Sequence, residues 1–229
     1  MSKVATSHWA RLLAILVMLV CVPLLYSAFR WAIADISAYP VRYAIERWQL
    51  QPDSVDLVSL TKAGEEIDLA LSWSAGNAEY YELKARLLLY RALLSKNIAQ
   101  TPTYINEIRQ ALSLHERAIE VRPHWSYSWA NKSLMKAYLG EFDTVFIEAI
   151  KRAEKTGPWE LSANLAVLEA GLLGWQQLSP GSQVVIIRAA NRAAEHSPRA
   201  VRMLLGRYVL RFPVCSRMLR SSAQRKVCK

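Results

Sequence analysis

Apolar residues fall along this chain in two patterns. The first is continuous. Leu12 to Phe29 is a run of 18 residues without a charge, the lower end of what crosses a bilayer as a helix. The second has a helical period. Val41, Ala44, Ile45 and Trp48 form one stripe, which predicts a short amphipathic helix that lies on lipid headgroups or on the rest of the domain. Leu57, Leu60, Ile67 and Leu71 mark the buried side of the next helix, opened by Pro52 and Asp53 with Asp53 as its cap. Ser74 to Asn77 reads as a turn, followed by a helix from Ala78 to Ser95. Thr101-Pro102, Ser179-Pro180 and Ser197-Pro198 each place a hydroxyl before a proline suited to the first helical position, so helices begin near Pro102, Pro180 and Pro198. Further helices are predicted over Ser126–Leu139, Phe142–Lys155 and Trp159–Leu173. No segment alternates apolar and polar residues between turn signals, so an all-β fold is excluded and the class is all-α.

The helices repeat. Ala118 and Pro123 recur 35 residues on as Ala153 and Pro158, and again 40 residues further as Ala193 and Pro198. A small residue near a helix end admits a close neighbour, and the proline stops the helix. Tyr81, Lys84, Ala85 and Tyr90 recur 48 residues on as Trp129, Lys132, Ser133 and Tyr138, and Trp159 with Ala163 reads as a reduced third copy. Trp129 to Gly140 has the aromatic-to-turn-glycine spacing of a tetratricopeptide (TPR) helical hairpin. Lys132 and Lys136 depart from that pattern, since an apolar and an aromatic residue are usual there. A TPR-like solenoid of helical hairpins is the expected architecture, and Lys84, Lys132 and Lys136 are candidate residues of its groove, where they either snorkel to solvent or meet an acidic segment of a partner.

The apolar run is flanked by Trp9, Tyr26, Phe29 and Trp31, as an interfacial belt would be, and Lys3 and Arg11 precede it without an acid. That bias puts the N-terminus in the cytoplasm and the remainder outside. Ala32-Ile33-Ala34 is an acceptable signal-peptide cleavage triplet, but the apolar core is long for a signal, and an uncleaved anchor is the favoured reading. The division expected is a cytoplasmic N-terminus over 1–11, a transmembrane anchor over 12–31, a juxtamembrane amphipathic segment over 32–52, a TPR-like domain over 53–212 and a basic tail over 213–229.

Charge changes the picture at one end only. The formal charge is +10, and from Arg188 to Lys229 eleven cations face Glu195 alone, which leaves eighteen charges of each sign before Arg188. Nucleic acid does not suit an extracytoplasmic domain, so anionic lipid or glycan are the partners considered, beside a solvated arginine face. Cys215 and Cys228 are the only cysteines outside the anchor. In an oxidising compartment they can pair, and in a reducing one they stay free. His8, His115, His124 and His196 form no i, i+3 or i, i+4 pair, so no metal site is supported. His115 reads as a packing residue, and Glu65, Glu66 and Asp68 as a solvated face. No catalytic motif and no cofactor site is found.

Gly157-Pro158-Trp159-Glu160, Leu165-Ala166-Val167, Gly171-Leu172-Leu173-Gly174-Trp175 and Gly206-Arg207-Tyr208 with Cys215 together resemble the TPR-containing, membrane-anchored polysaccharide biosynthesis proteins of the VpsP type. The resemblance implies a non-enzymatic adaptor in the bacterial inner membrane. Its helical domain would lie in the periplasm and bind another envelope protein of polysaccharide polymerisation or export. The alternatives are an adaptor in another envelope assembly, such as cytochrome maturation, and a glycan-processing enzyme.

Overall fold

The computed structural model of the chain describes residues 8–94 and 101–229. Lys3 and Ser95 lie outside them. The described residues form eleven α-helices and one short 3-10 turn, with no strand. The first helix, α1 (His8–Leu50), is unbroken. The residues expected as an anchor and those expected as a juxtamembrane segment thus lie on one continuous helix. Its second half carries Ala34, Ala38, Val41, Ile45 and Trp48 on one buried face, packed on α2 (Leu57–Trp73) and α3 (Ala78–Leu94). That packing holds the helix beyond the apolar run. Its first half is exposed along its length, and α1 is long and apolar enough to cross a membrane. At the handover Phe29 meets Trp73 edge-on at 6.2 Å, and the Arg30 guanidinium donates to the Trp73 carbonyl at 2.6 Å. Trp73 is the last residue of α2, where carbonyls lack intrahelical partners.

Two local expectations change. Asp53 sits in the 3-10 turn Pro52–Ser54, and the cap of α2 is Asp56, which accepts from the Ser59 N–H at 2.9 Å. Leu60 and Ile67 are buried as expected and Leu71 packs against the same cluster, but Leu57 is exposed, because α2 begins there, outside the seam.

The remaining helices are α4 (Pro102–Val121), α5 (Ser126–Tyr138), α6 (Thr144–Thr156), α7 (Leu161–Leu173), α8 (Pro180–His196), α9 (Pro198–Arg207), α10 (Arg211–Cys215) and α11 (Ser222–Cys228). Thr101 and Ser179 cap their helices through their hydroxyls, whereas Ser197 makes no side-chain cap. Consecutive helices from α1 to α8 pack as neighbours, and α5 also lies along α7. The last three do not form a tail. Val214, Met218 and Val227 are buried, α11 packs back on α8 and α9, and Cys215 is bonded to Cys228. The segment 213–229 thus completes the domain.

The repeat has a physical basis at the helix ends. Ala118, Ala153 and Ala193 are buried, and their carbonyls accept from Arg122, Gly157 and Ser197. Those three residues share one conformation, with φ of −136°, −148° and −143° and ψ of 76°, 62° and 72°. Each precedes a proline, which bars the α region to the residue before it. A fourth helix ends the same way without a proline. Ser74, at φ −145° and ψ 75°, donates to the carbonyl of buried Ala70. The turns repeat too. The Trp129 indole N–H donates to the Pro123 carbonyl at 2.8 Å, and the Asn164 amide donates to the Pro158 carbonyl at 2.9 Å. Asn164, 35 residues after Trp129, is therefore its structural counterpart. Trp159, expected in that role, stands exposed in the turn.

Two other helix ends use a left-handed residue. After α5, Gly140 at φ 74° lets the Glu141 N–H reach the Lys136 carbonyl. After α9, Val209 at φ 56° lets the Leu210 N–H reach the Leu205 carbonyl. Both are Schellman turns, which favour glycine, and a branched side chain in this region is strained. Val209 is exposed and loses no packing when removed. Val209→Gly should raise stability by about 1 kcal/mol and Gly140→Val should lower it by at least about 1 kcal/mol. Denaturant unfolding of the detergent-solubilised chain measures both.

Candidate functional site

The three candidate groove lysines are each engaged within the chain. Lys84 on α3 pairs with Asp68 on α2, and Lys132 on α5 pairs with Glu116 on α4 at 2.9 Å. Asp68 and Glu116 are 48 residues apart, like the lysines themselves. The repeated unit is thus a complete ion pair fastening each hairpin to the helix before it. Lys132 also lies 5.8 Å from the Trp129 ring, and Arg152 lies over the same ring at 5.7 Å. Lys136 is buried, with Glu141 at 2.7 Å and Asp143 at 3.0 Å. Burial pushes its ammonium down, but the two carboxylates outweigh that and hold it above its ordinary value. These lysines do not form a row of unpaired cations facing a groove. Tyr81 is half-buried on α3, as Trp129 is on α5.

His115 is buried and paired, at 3.0 Å from Glu82. Asn131 donates to the other Glu82 oxygen at 3.1 Å. The three side chains join α4, α3 and α5. Glu82 is a residue that pattern reading passed over. Its signal was its place between Ala78 and Ala85 on an apolar face, since a buried carboxylate is retained only with hydrogen-bonding partners. A second carboxylate hub is Glu169 on α7, which accepts from the Tyr208 hydroxyl at 2.9 Å, the Tyr138 hydroxyl at 3.3 Å and Arg207 at 3.2 Å. Burial, reinforced by the Glu169 charge, pushes both phenols up, so they stay protonated and donate.

The arginine-rich end divides into two groups. Arg188 and Arg192 share Glu154, Arg207 takes Glu169, and Arg217 lies 5.6 Å from the Trp175 ring. Arg199, Arg202, Arg211, Arg220, Arg225 and Lys226 are exposed and make no ion pair among the described residues.

A cleft of about 870 Å³ lies between α6 and the start of α8. Phe142, Ile147 and Leu178 give it an apolar floor, and Lys151 and Lys155 stand on the α6 side. Arg152 there is paired with Glu148 at 3.4 Å, and Asp143 with Lys136. Lys151 and Lys155 are exposed and pair with no carboxylate among the described residues. The Ser179 hydroxyl at the opposite wall is occupied as the cap of α8. An extended segment with carboxylates could set apolar side chains on this floor and acidic ones on the two lysines. The repeat pattern does not point to Lys151 or Lys155, because neither lies on a repeated position.

Among the described residues no three His, Cys, Asp or Glu side chains gather at metal-binding geometry. The chain matches no known family profile, and no curated protein matches it at a significant level.

Asp143 links the cleft to the fold. It caps α6 by accepting from the Phe146 N–H at 2.9 Å and pairs with Lys136. Burial pushes its carboxyl up, but the Phe146 N–H and the Lys136 ammonium together hold it below the ordinary 3.8. A depressed native value gives stability that is present above the unfolded-state value and lost as pH falls through the native one. Asp143→Ala should cost about 1 kcal/mol at pH 7, most of it the cap because the side chain is half exposed. The difference from wild type should shrink as pH is lowered below about 3.8. Urea unfolding of both proteins at pH 7 and pH 3 measures it.

Proposed function

We propose that this chain is a membrane-anchored, non-enzymatic adaptor of TPR type that serves surface polysaccharide biosynthesis. The observation that carries the reading is the junction of two things in one helix. The exposed apolar half of α1 runs without a break into a domain of repeated helical hairpins, so a binding scaffold stands directly on a membrane-crossing element. Four helices ending at buried alanines, and repeated ion pairs between hairpins, support the solenoid reading. The polysaccharide assignment rests on the resemblance to VpsP-type proteins. The N-terminus is cytoplasmic, on the bias of Lys3 and Arg11, and the domain is periplasmic, at the inner membrane.

The partner in this reading is another envelope protein of polysaccharide polymerisation or export, docking an acidic, partly apolar segment in the α6–α8 cleft. Lys151→Glu with Lys155→Glu should leave helicity unchanged and shift stability by no more than about 0.5 kcal/mol, because both are solvated. It should abolish co-purification of the partner and reduce surface polysaccharide. Normal polysaccharide output from a folded double variant would move the binding face elsewhere, first to the unpaired arginines of α9 and α11. Sugar-nucleotide turnover by the purified chain would sink the adaptor class.

The disulfide tests the compartment. Cys215 and Cys228 enclose 13 positions of chain separation, and in an oxidising periplasm the bond should contribute about 3 kcal/mol. Peptide mapping of non-reduced protein should recover the linked pair, and reduction should lower the unfolding midpoint. Free alkylation of both thiols in freshly isolated protein would place the domain on the reducing side.

A further inference from the structure

Beyond the membrane, α1 has two apolar faces. One is buried against α2 and α3 and consists of Ala34, Ala38, Val41, Ile45 and Trp48. The opposite face carries Ala32, Ile36, Tyr39, Tyr43 and Leu50, all exposed, with Leu50 at 84% and Ile36 at 72%. These positions advance by alternating steps of three and four residues, the a/d pattern of a coiled coil. In the uniformly apolar half the same spacing falls on Met18, Val22, Leu25 and Phe29, all exposed, with Phe29 also touching Trp73 at its edge. Glu46 is the one charged position in a repeat that runs from Met18 to Leu50.

We propose that this stripe is the seam of a parallel homodimer, with α1 of one copy lying along α1 of a second through and beyond the bilayer. Lipid accounts for the first half of the stripe but not for the apolar stripe of the water-exposed half. A partner for that half must offer an apolar helix face of the same length and direction, and α1 of a second copy does so. The area suffices. Ten positions covering about 80 Å² each would bury about 800 Å² per copy, the size of a standard specific interface. The charges also fit. Counting Leu50 as an a position, Glu46 is d and Arg47 is e. In a parallel pair a d residue packs beside e of the other helix, so Glu46 of each copy faces Arg47 of the other. A single polar layer of this kind fixes register at some expense of stability. The membrane-spanning part of the seam rests on the proposed anchor, and the remainder does not.

The test uses the full chain in native membranes, with Cys21→Ser as background so that introduced thiols are alone in α1. Ile36→Cys and Tyr43→Cys, on the seam, should cross-link to dimers under mild oxidation. Gln49→Cys, exposed and about 100° around the helix from Leu50, should not. Ile36→Glu with Tyr43→Glu should weaken self-association at least tenfold, read by energy transfer between labelled copies on lipid dilution. Glu46→Leu should strengthen it. Absence of cross-links at both seam positions, or equal yields at Gln49→Cys, overturns the proposal. So does quenching by brominated lipid of a fluorescent label attached to Ile36→Cys in the Cys21→Ser background, which would show lipid covering the face. Alkaline extraction of the membranes checks the anchor separately. Release of the chain into the supernatant would remove the membrane reading while leaving cross-linking as the judge of the dimer.

Discussion

The repeat region depends on one close approach, made four times. Ala70, Ala118, Ala153 and Ala193 sit buried near the ends of α2, α4, α6 and α8, and each carbonyl is taken by an N–H four residues later. A larger side chain there would hold the neighbouring helix away, and interiors packed to crystal density leave no room for it. The extended residue that follows turns the chain sharply, so each next helix starts beside the one just finished. Hairpin order, and with it the α6–α8 cleft, follows from that local geometry. The ion pairs Lys84–Asp68 and Lys132–Glu116 then act as fasteners across hairpins whose spacing is already set.

Polar groups inside the domain hold its helices to one another. Glu82 ties α3 to α4 and α5, Glu169 ties α7 to α5 and α9, and Glu154 on α6 gathers two arginines of α8. Each carboxylate has several donors, as a buried or half-buried charge requires. Of the cations at the basic end, Arg188, Arg192 and Arg207 are engaged in such contacts. The unpaired remainder lies on α9, α10 and α11 and in the turn between the last two.

How much was legible follows from the range of each interaction. The three proline-terminated helix ends were readable, because the signal lies within six residues. The fourth, at Ala70, was not, because Ala75 stands where the others have proline. The 48-residue repeat was seen in Tyr81/Trp129 and Lys84/Lys132, yet the lysines were read as reaching outward. Their acids, Asp68 and Glu116, repeat at the same spacing, and only packing α3 on α2 and α5 on α4 makes them partners. Trp159 was aligned with Trp129 as an aromatic, whereas the structure matches by hydrogen bonding and selects Asn164. Continuity of α1 was missed for another reason. The change from uniform to striped hydrophobicity divided the segment into two, and the core contacts of Val41, Ile45 and Trp48 carry one helix across that change.

An unbroken α1 also makes the domain a lever. From Phe29 to Leu50 the helix is about 30 Å long at 1.5 Å per residue, and its buried face moves as one body with α2 and α3. With its apolar half in a bilayer, as proposed, any change of tilt in the lipid swings the far end by an amount set by that length. A ten-degree change displaces it by about 5 Å, one helical turn. Hydrophobic stretches tilt to match the membrane they occupy. Bilayer thickness would therefore set where the hairpins stand above the surface, a mechanical coupling that a flexible tether in place of the helix would erase.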